Sequence, residues 1–138
     1  MIAIDTNVLV RALLNDDPVQ SLESAALIRT LANGGEGIFI GLSALLELVW
    51  TLKTKKKRPA EIYEIVRHLL ESDGVTFAQS ALVGDALETY RKGTIDFGEC
   101  LLLAEAQASG VTRVATYDAV FLEADPRAVG VGEPLKGM

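Results

Sequence analysis

The chain is short of cysteine, histidine and positive charge, and each shortage removes a class of explanation. Cys100 is the only cysteine among 138 residues, so no intramolecular disulfide can form. A lone thiol fits a reducing compartment better than an oxidising one. His68 is the only histidine, and no His/Cys set with zinc spacing exists. No apolar run approaches the roughly 20 residues that span a bilayer. The start, Met1-Ile2-Ala3-Ile4-Asp5, has no basic leader, and Asp5 interrupts its apolar run at once. The reading is a cytoplasmic protein without a membrane segment. Phosphate-cradling and acyl-transfer signatures of the Gly-x-Gly-x-x-Gly, P-loop and Gly-x-Ser-x-Gly kinds are absent as well.

The scarcity of positive charge matters most. Thirteen Lys and Arg stand against nineteen Asp and Glu, a formal net charge of −6. A general nucleic-acid binder is normally basic, because it must neutralise phosphates. Surplus carboxylates are informative only if negative charge has a task. Collecting divalent cations is one; docking a basic partner segment is another.

What is present is ample apolar material: 49% of the residues are hydrophobic, enough for one core in a single domain over residues 1–138. Ile2-Ala3-Ile4 reads as a short strand, and Thr6-Asn7 supplies capping chemistry for a helix to about Leu14. Asp17-Pro18 opens a second helix that ends before Asn33-Gly34-Gly35. Gly37 and Gly41 bracket the strand Ile38-Phe39-Ile40. Ser43 is expected to cap an apolar helix from Ala44 to about Lys53. After Lys53–Arg58 and Pro59, apolar residues from Ile62 to Leu70 recur at helical spacing. His68 lies in that helix, where a surface or packing role is expected. Val75–Phe77 reads as a strand, 79–92 and 97–109 as helices stopped by Gly93 and Gly110, and Arg113–Thr116 as a strand. A short helix to Asp125-Pro126 and a last strand near Ala128–Val131 complete the pattern. Alternating strands and helices predict an α/β fold, an α/β/α sandwich on a central parallel sheet.

Ligands of open α/β sheets sit beyond the carboxyl ends of the strands. Asp5 ends the first strand, and Asp118 follows the Arg113–Thr116 strand; as parallel neighbours, these strands would aim both carboxylates at one edge. Each is equally readable as an N-cap. Glu47 lies inside Ala44-Leu45-Leu46-Glu47-Leu48-Val49-Trp50, with apolar residues on nearly every side. A buried carboxylate needs a cationic partner or a metal, the alternative being a narrow exposed stripe. Asp96 and Glu99 stand at i and i+3 on a helix start and can face the same way, although acidic residues there also complement the helix dipole. Four segments thus contribute oxygen ligands without any histidine or cysteine, which suits Mg²⁺ or Mn²⁺.

At these residues the chain resembles a PIN domain over almost its whole length, and in particular PIN toxins of the VapC kind. Ile4-Asp5-Thr6-Asn7 is similar to the family's opening motif, Glu47 to its glutamate on the helix after the second strand, and Thr116-Tyr117-Asp118 to its closing Thr-x-Asp. Relatives commonly read Asp-Phe-x-Asp-Ala-Leu in the middle motif; here Asp96-Phe97-Gly98-Glu99-Cys100-Leu101 puts Glu99 at the second acidic position. The added methylene shifts where that carboxylate can reach, and Asp96 is the close alternative.

The resemblance implies metal-assisted RNA hydrolysis by Asp5, Glu47, Glu99 or Asp96, and Asp118. For short members it further implies the toxin half of a toxin–antitoxin pair: a homodimer held inactive by a VapB-like antitoxin segment over the acidic site, with transfer or ribosomal RNA as substrate. Thr6, Asn7 and Thr116 would orient ligands or water, or else serve capping and turn hydrogen bonds. Lys53, Lys55, Lys56, Lys57 and Arg58 are the candidate RNA contacts, the plain alternative being a solvated loop. Rival readings are a PIN-fold RNA-processing nuclease outside such a pair, a non-catalytic RNA- or protein-binding module with a degraded site, and a receiver-like phosphoryl-transfer protein using Asp5.

Overall fold

A computed structural model of the chain describes residues 1–133. It divides into two compact units, residues 1–80 and residues 81 onward, described in turn.

The first unit is laid out by short-range signals. β1 (Ile2–Ala3) runs into α1 (Thr6–Leu14), which ends on Asn15 in the left-handed region at φ 51°. Asp17 caps α2 (Pro18–Ala32) by accepting from the amides of Val19 and Gln20, with proline in the first turn. β2 (Ile38–Ile40) leads into α3 (Leu42–Thr54), and α4 (Pro59–Glu71) leads into β3 (Val75–Phe77). Ser43 is not the cap of α3. The chain turns so tightly off β2 that Gly41 takes the cap position, its carbonyl accepting from Leu45 N at 3.0 Å, and Ser43 falls inside the first turn.

β1, β2 and β3 form a parallel sheet in the order β1-β2-β3. Ile2 pairs with Ile38, and Ile38 with Val75, so central β2 carries the register for both neighbours. Ile38 and Ile40 are buried while Phe39 between them is half-buried, the alternation a pleated strand requires. Gly74 sets the start of β3: its φ is +78°, and a Cβ there would lie 2.6 Å from the Ala32 carbonyl oxygen. Only glycine meets both demands. α1 packs against α2 and α3, and α3 against α4; Leu48, Leu52, Ile62 and Val66 are fully buried. The stripe from Ile62 to Leu70 therefore behaves as the spacing predicts, with Ile62 and Val66 inward and His68 exposed.

The second unit holds α5 (Ser80–Lys92), α6 (Phe97–Ala108), β4 (Val114–Thr116), α7 (Ala119–Ala124) and β5 (Ala128–Gly130). β4 and β5 pair in parallel, Val114 with Ala128 and Thr116 with Gly130. Among the described residues β1 and β4 belong to separate hydrogen-bonded ladders. α5 and α6 join through Tyr90 and Phe97, whose rings meet edge to face with centroids 5.6 Å apart. Among the described residues no helix is long and apolar enough to cross a membrane.

One ion pair in this unit has a pH signature. Arg127 donates through Nε to Asp125 Oδ1 at 3.0 Å and through Nη2 to Oδ2 at 2.8 Å, and Asp125 is 8% exposed. Chiefly this side-chain hydrogen bonding, against an opposing effect of burial, holds the Asp125 carboxyl below its ordinary range. An unfolded aspartate titrates near about 3.9. The pair's contribution is therefore complete above that pH and is lost as pH falls through the lower folded value. Asp125→Ala is expected to cost about 1.5–3 kcal/mol at neutral pH. In thermal melts the gap to wild type should stay constant above about pH 5 and narrow below about pH 4. A pH-independent gap would mean that packing, not ionisation, carries the effect.

Candidate metal and nuclease site

The first-unit carboxylates meet because of strand order. β1 and β2 are parallel neighbours, so the helices that leave their carboxyl ends, α1 and α3, start side by side. Asp5, at the exit of β1, is the N-cap of α1, its Oδ1 accepting from Thr6 N at 2.8 Å. Thr6 is only 6% exposed, and its hydroxyl lies 3.0 Å from Glu47 Oε2 and 3.4 Å from the Ala44 carbonyl. One threonine thus links the first turn of α1 to the second turn of α3. Asn7 is exposed on that first turn.

Glu47 is itself exposed, which corrects the expectation that its apolar surroundings bury it. α3 turns Leu45, Leu48, Val49 and Leu52 inward but leaves Ser43, Leu46, Glu47 and Trp50 facing out. The outward face is apolar enough to read as core in sequence, so composition concealed it.

In the second unit, Asp118 caps α7: its Oδ1 accepts from Val120 N at 2.9 Å and Phe121 N at 3.1 Å. Thr116 Oγ1 accepts from Asp118 N at 3.0 Å, fixing the turn between strand and cap. Asp96 occupies the N-cap position of α6, yet its side chain makes no capping bond. Glu99, half-buried, stands one turn in. Burial first, then the charges of Asp96 and Glu99, push the neighbouring Cys100 thiol up to about 12. Cys100 is therefore protonated at neutral pH and has no nucleophilic part.

Two kinds of observation bear on a metal. Asp5, Glu47 and Asp118 have no cationic side chain within ion-pair distance among the described residues, and the Oδ2 atoms of Asp5 and Asp118 accept no hydrogen bond there. Exposed hard oxygen donors of this sort fit Mg²⁺ or Mn²⁺. Against that, within neither unit do three His, Cys, Asp or Glu side chains of the described residues gather into a metal-holding group. The structure brings together Asp5, Thr6 and Glu47 in one unit, and Thr116 and Asp118 in the other.

The PIN domain family model matches residues 2–125. The chain belongs to the PIN domain family. Comparison with curated proteins found no match. PIN domains are generally nucleases that use divalent metals and act on nucleic acids, and the α/β/α class with its parallel sheet agrees with that membership.

The basic run closes α3. Lys53 lies in its last turn, Lys55 is its C-cap, and Lys56 takes a left-handed φ of 62°. Lys53, Lys55 and Lys56 are exposed and Lys57 half-buried, whereas Arg58 bonds Glu61 through Nε at 3.1 Å. The Arg58 amide, donating to the same carboxylate, and then this side-chain contact hold the Glu61 carboxyl below its usual range. Sequence reasoning passed over Trp50 and Tyr117, the only exposed side chains among one tryptophan, three tyrosines and four phenylalanines. The available signal was position: Trp50 is i+3 from Glu47, and Tyr117 immediately precedes Asp118.

Proposed function

We propose that this PIN domain is a divalent-metal-dependent endoribonuclease, the toxin half of a VapBC-type pair, that hydrolyses phosphodiester bonds in RNA of the transfer or ribosomal class. The observation that carries the reading is that Asp5, Glu47 and Asp118 are exposed, with no cationic side chain within ion-pair distance among the described residues, in a chain of this family. Asp5, Glu47, Glu99 and Asp118 would hold Mg²⁺ or Mn²⁺, with Asp96 the alternative to Glu99. When bound, such an ion lowers the pKa of a water and offsets negative charge on the phosphoryl oxygens.

The protein's own share is positioning. Capping bonds hold one oxygen of Asp5 and one of Asp118, which limits each side chain's freedom and the reorganisation needed at reaction. The buried Thr6 hydroxyl does the same for Glu47. Lys53, Lys55, Lys56, Lys57 and Arg58 are the proposed phosphate contacts, with Arg58 shared with Glu61. Acidic side chains left bare would repel RNA, so the ion serves binding as well as chemistry. A basic antitoxin segment would recognise the same charge. A homodimer completes the proposal.

Purified protein incubated with transfer and ribosomal RNA should cleave in Mg²⁺ or Mn²⁺ and stop in EDTA. Expression alone should arrest growth, and co-expression of the adjacent gene should relieve the arrest. Metal-independent cleavage would remove the carboxylate centre from the reading. Cleavage without growth arrest would favour an RNA-processing nuclease, and no cleavage of either RNA a binding module whose Glu99 marks a degraded site.

A further inference from the structure

Six of the chain's eight aromatic side chains are buried or half-buried, and the remaining two, Trp50 and Tyr117, are 68% and 87% exposed. Each stands beside a candidate carboxylate of its own unit. Trp50 follows Glu47 by three positions on α3, so the two share the helix's outward face. Tyr117 sits in the turn between β4 and α7, directly before Asp118. A large aromatic surface left in water forgoes the stabilisation that burial would bring. Finding both exposed aromatics at the carboxylates, rather than scattered, calls for an occupant.

We propose that Trp50 and Tyr117 are stacking platforms for unpaired bases of a single-stranded RNA. This rests on the nuclease reading and deepens it, because it names strand state and base contact as what the substrate must offer. Charge favours nucleic acid as the occupant. Beyond Trp50 the same face of α3 continues to Lys53, and Lys55, Lys56 and Lys57 follow directly after the helix. These lysines supply positive charge for the phosphates of a strand whose base lies on the indole. Aromatic faces accept any base, while a duplex keeps its bases stacked on each other and has none to offer.

Trp50 is the sole tryptophan, so intrinsic fluorescence reports on this position alone. A short single-stranded RNA of mixed sequence should quench it in Ca²⁺-containing buffer, and the same sequence as a duplex should not. In cleavage assays, Trp50→Ala and Tyr117→Ala should each raise KM by about 5- to 150-fold, with kcat held within about twofold. Trp50→Phe and Tyr117→Phe should restore most of the loss, since a ring remains. Because both side chains are exposed, circular dichroism and melting should be near wild type for all four variants.

Robust cleavage with unchanged KM in both alanine variants, and no quenching, overturns the stacking role and leaves the nuclease standing. Quenching by single strands from a protein that cleaves nothing supports stacking and removes the nuclease. A shift in oligomeric state on Trp50→Ala, without quenching by RNA, assigns that face to a second copy of the chain and overturns the proposal.

Discussion

Replacing Asp5 by asparagine is expected to reduce metal-dependent RNA cleavage by on the order of 10²–10³-fold or more, while barely changing the melting temperature. Both halves follow from the two oxygens of this side chain. Oδ1 accepts from Thr6 N, and an asparagine carbonyl can do the same; Asn and Asp are equally good at helix N-caps. What asparagine cannot supply is the charge that draws a divalent cation. Single-turnover cleavage in Mg²⁺ and a thermal melt, on the same preparation, separate the two functions. Unchanged cleavage would leave Asp5 as a cap and nothing more. A large fall in melting temperature alongside lost activity would mean that the capping geometry had not survived, and Asp5→Ser, which keeps a cap acceptor without charge, would then decide the matter.

The largest expected effect on stability comes from Phe97→Ala, about 3–5 kcal/mol. Phe97 is 0% exposed and holds the edge-to-face contact with Tyr90 that ties α6 to α5. Removing the ring leaves a cavity at the first residue of α6, between Asp96 and Glu99. Both acidic side chains depend on that turn for their placement, so activity should fall further than stability alone explains. Phe97→Leu should recover a good part of both. Denaturant unfolding would measure it, and a loss under about 1 kcal/mol would show that the surrounding side chains collapse into the space.

How much of this is legible in the sequence depends on whether the signal is local. Asp17-Pro18, Gly93 and Gly110 end or begin helices by their own backbone preferences, and the helices lie within a residue or two of where those signals place them. Glycines on either side of Ile38–Ile40 marked the central strand. Ser43 misled because Gly41, at a tight strand-to-helix exit, allowed α3 to begin earlier. Glu47 misled for a different reason: an outward face carrying Leu46 and Trp50 has the composition of a core. Asp5 and Asp118 were readable as either caps or ligands, and the structure gives each a capping bond while leaving its second oxygen without one. The link from Thr6 to Glu47 spans 41 positions and follows from β1 lying beside β2, a fact no local pattern encodes.

That Asp5 and Asp118 are caps has a consequence for how such a chain drifts over generations. At both positions folding alone favours a short acid, amide or hydroxyl side chain. A descendant relieved of its activity would keep these two residues, or their near equivalents, long after the chemistry had gone. Glu47 caps no helix end, so it would be the first to wander. In a lineage of this kind, Glu47 records whether the catalyst is still under selection, and the two capping aspartates record only that the protein still folds.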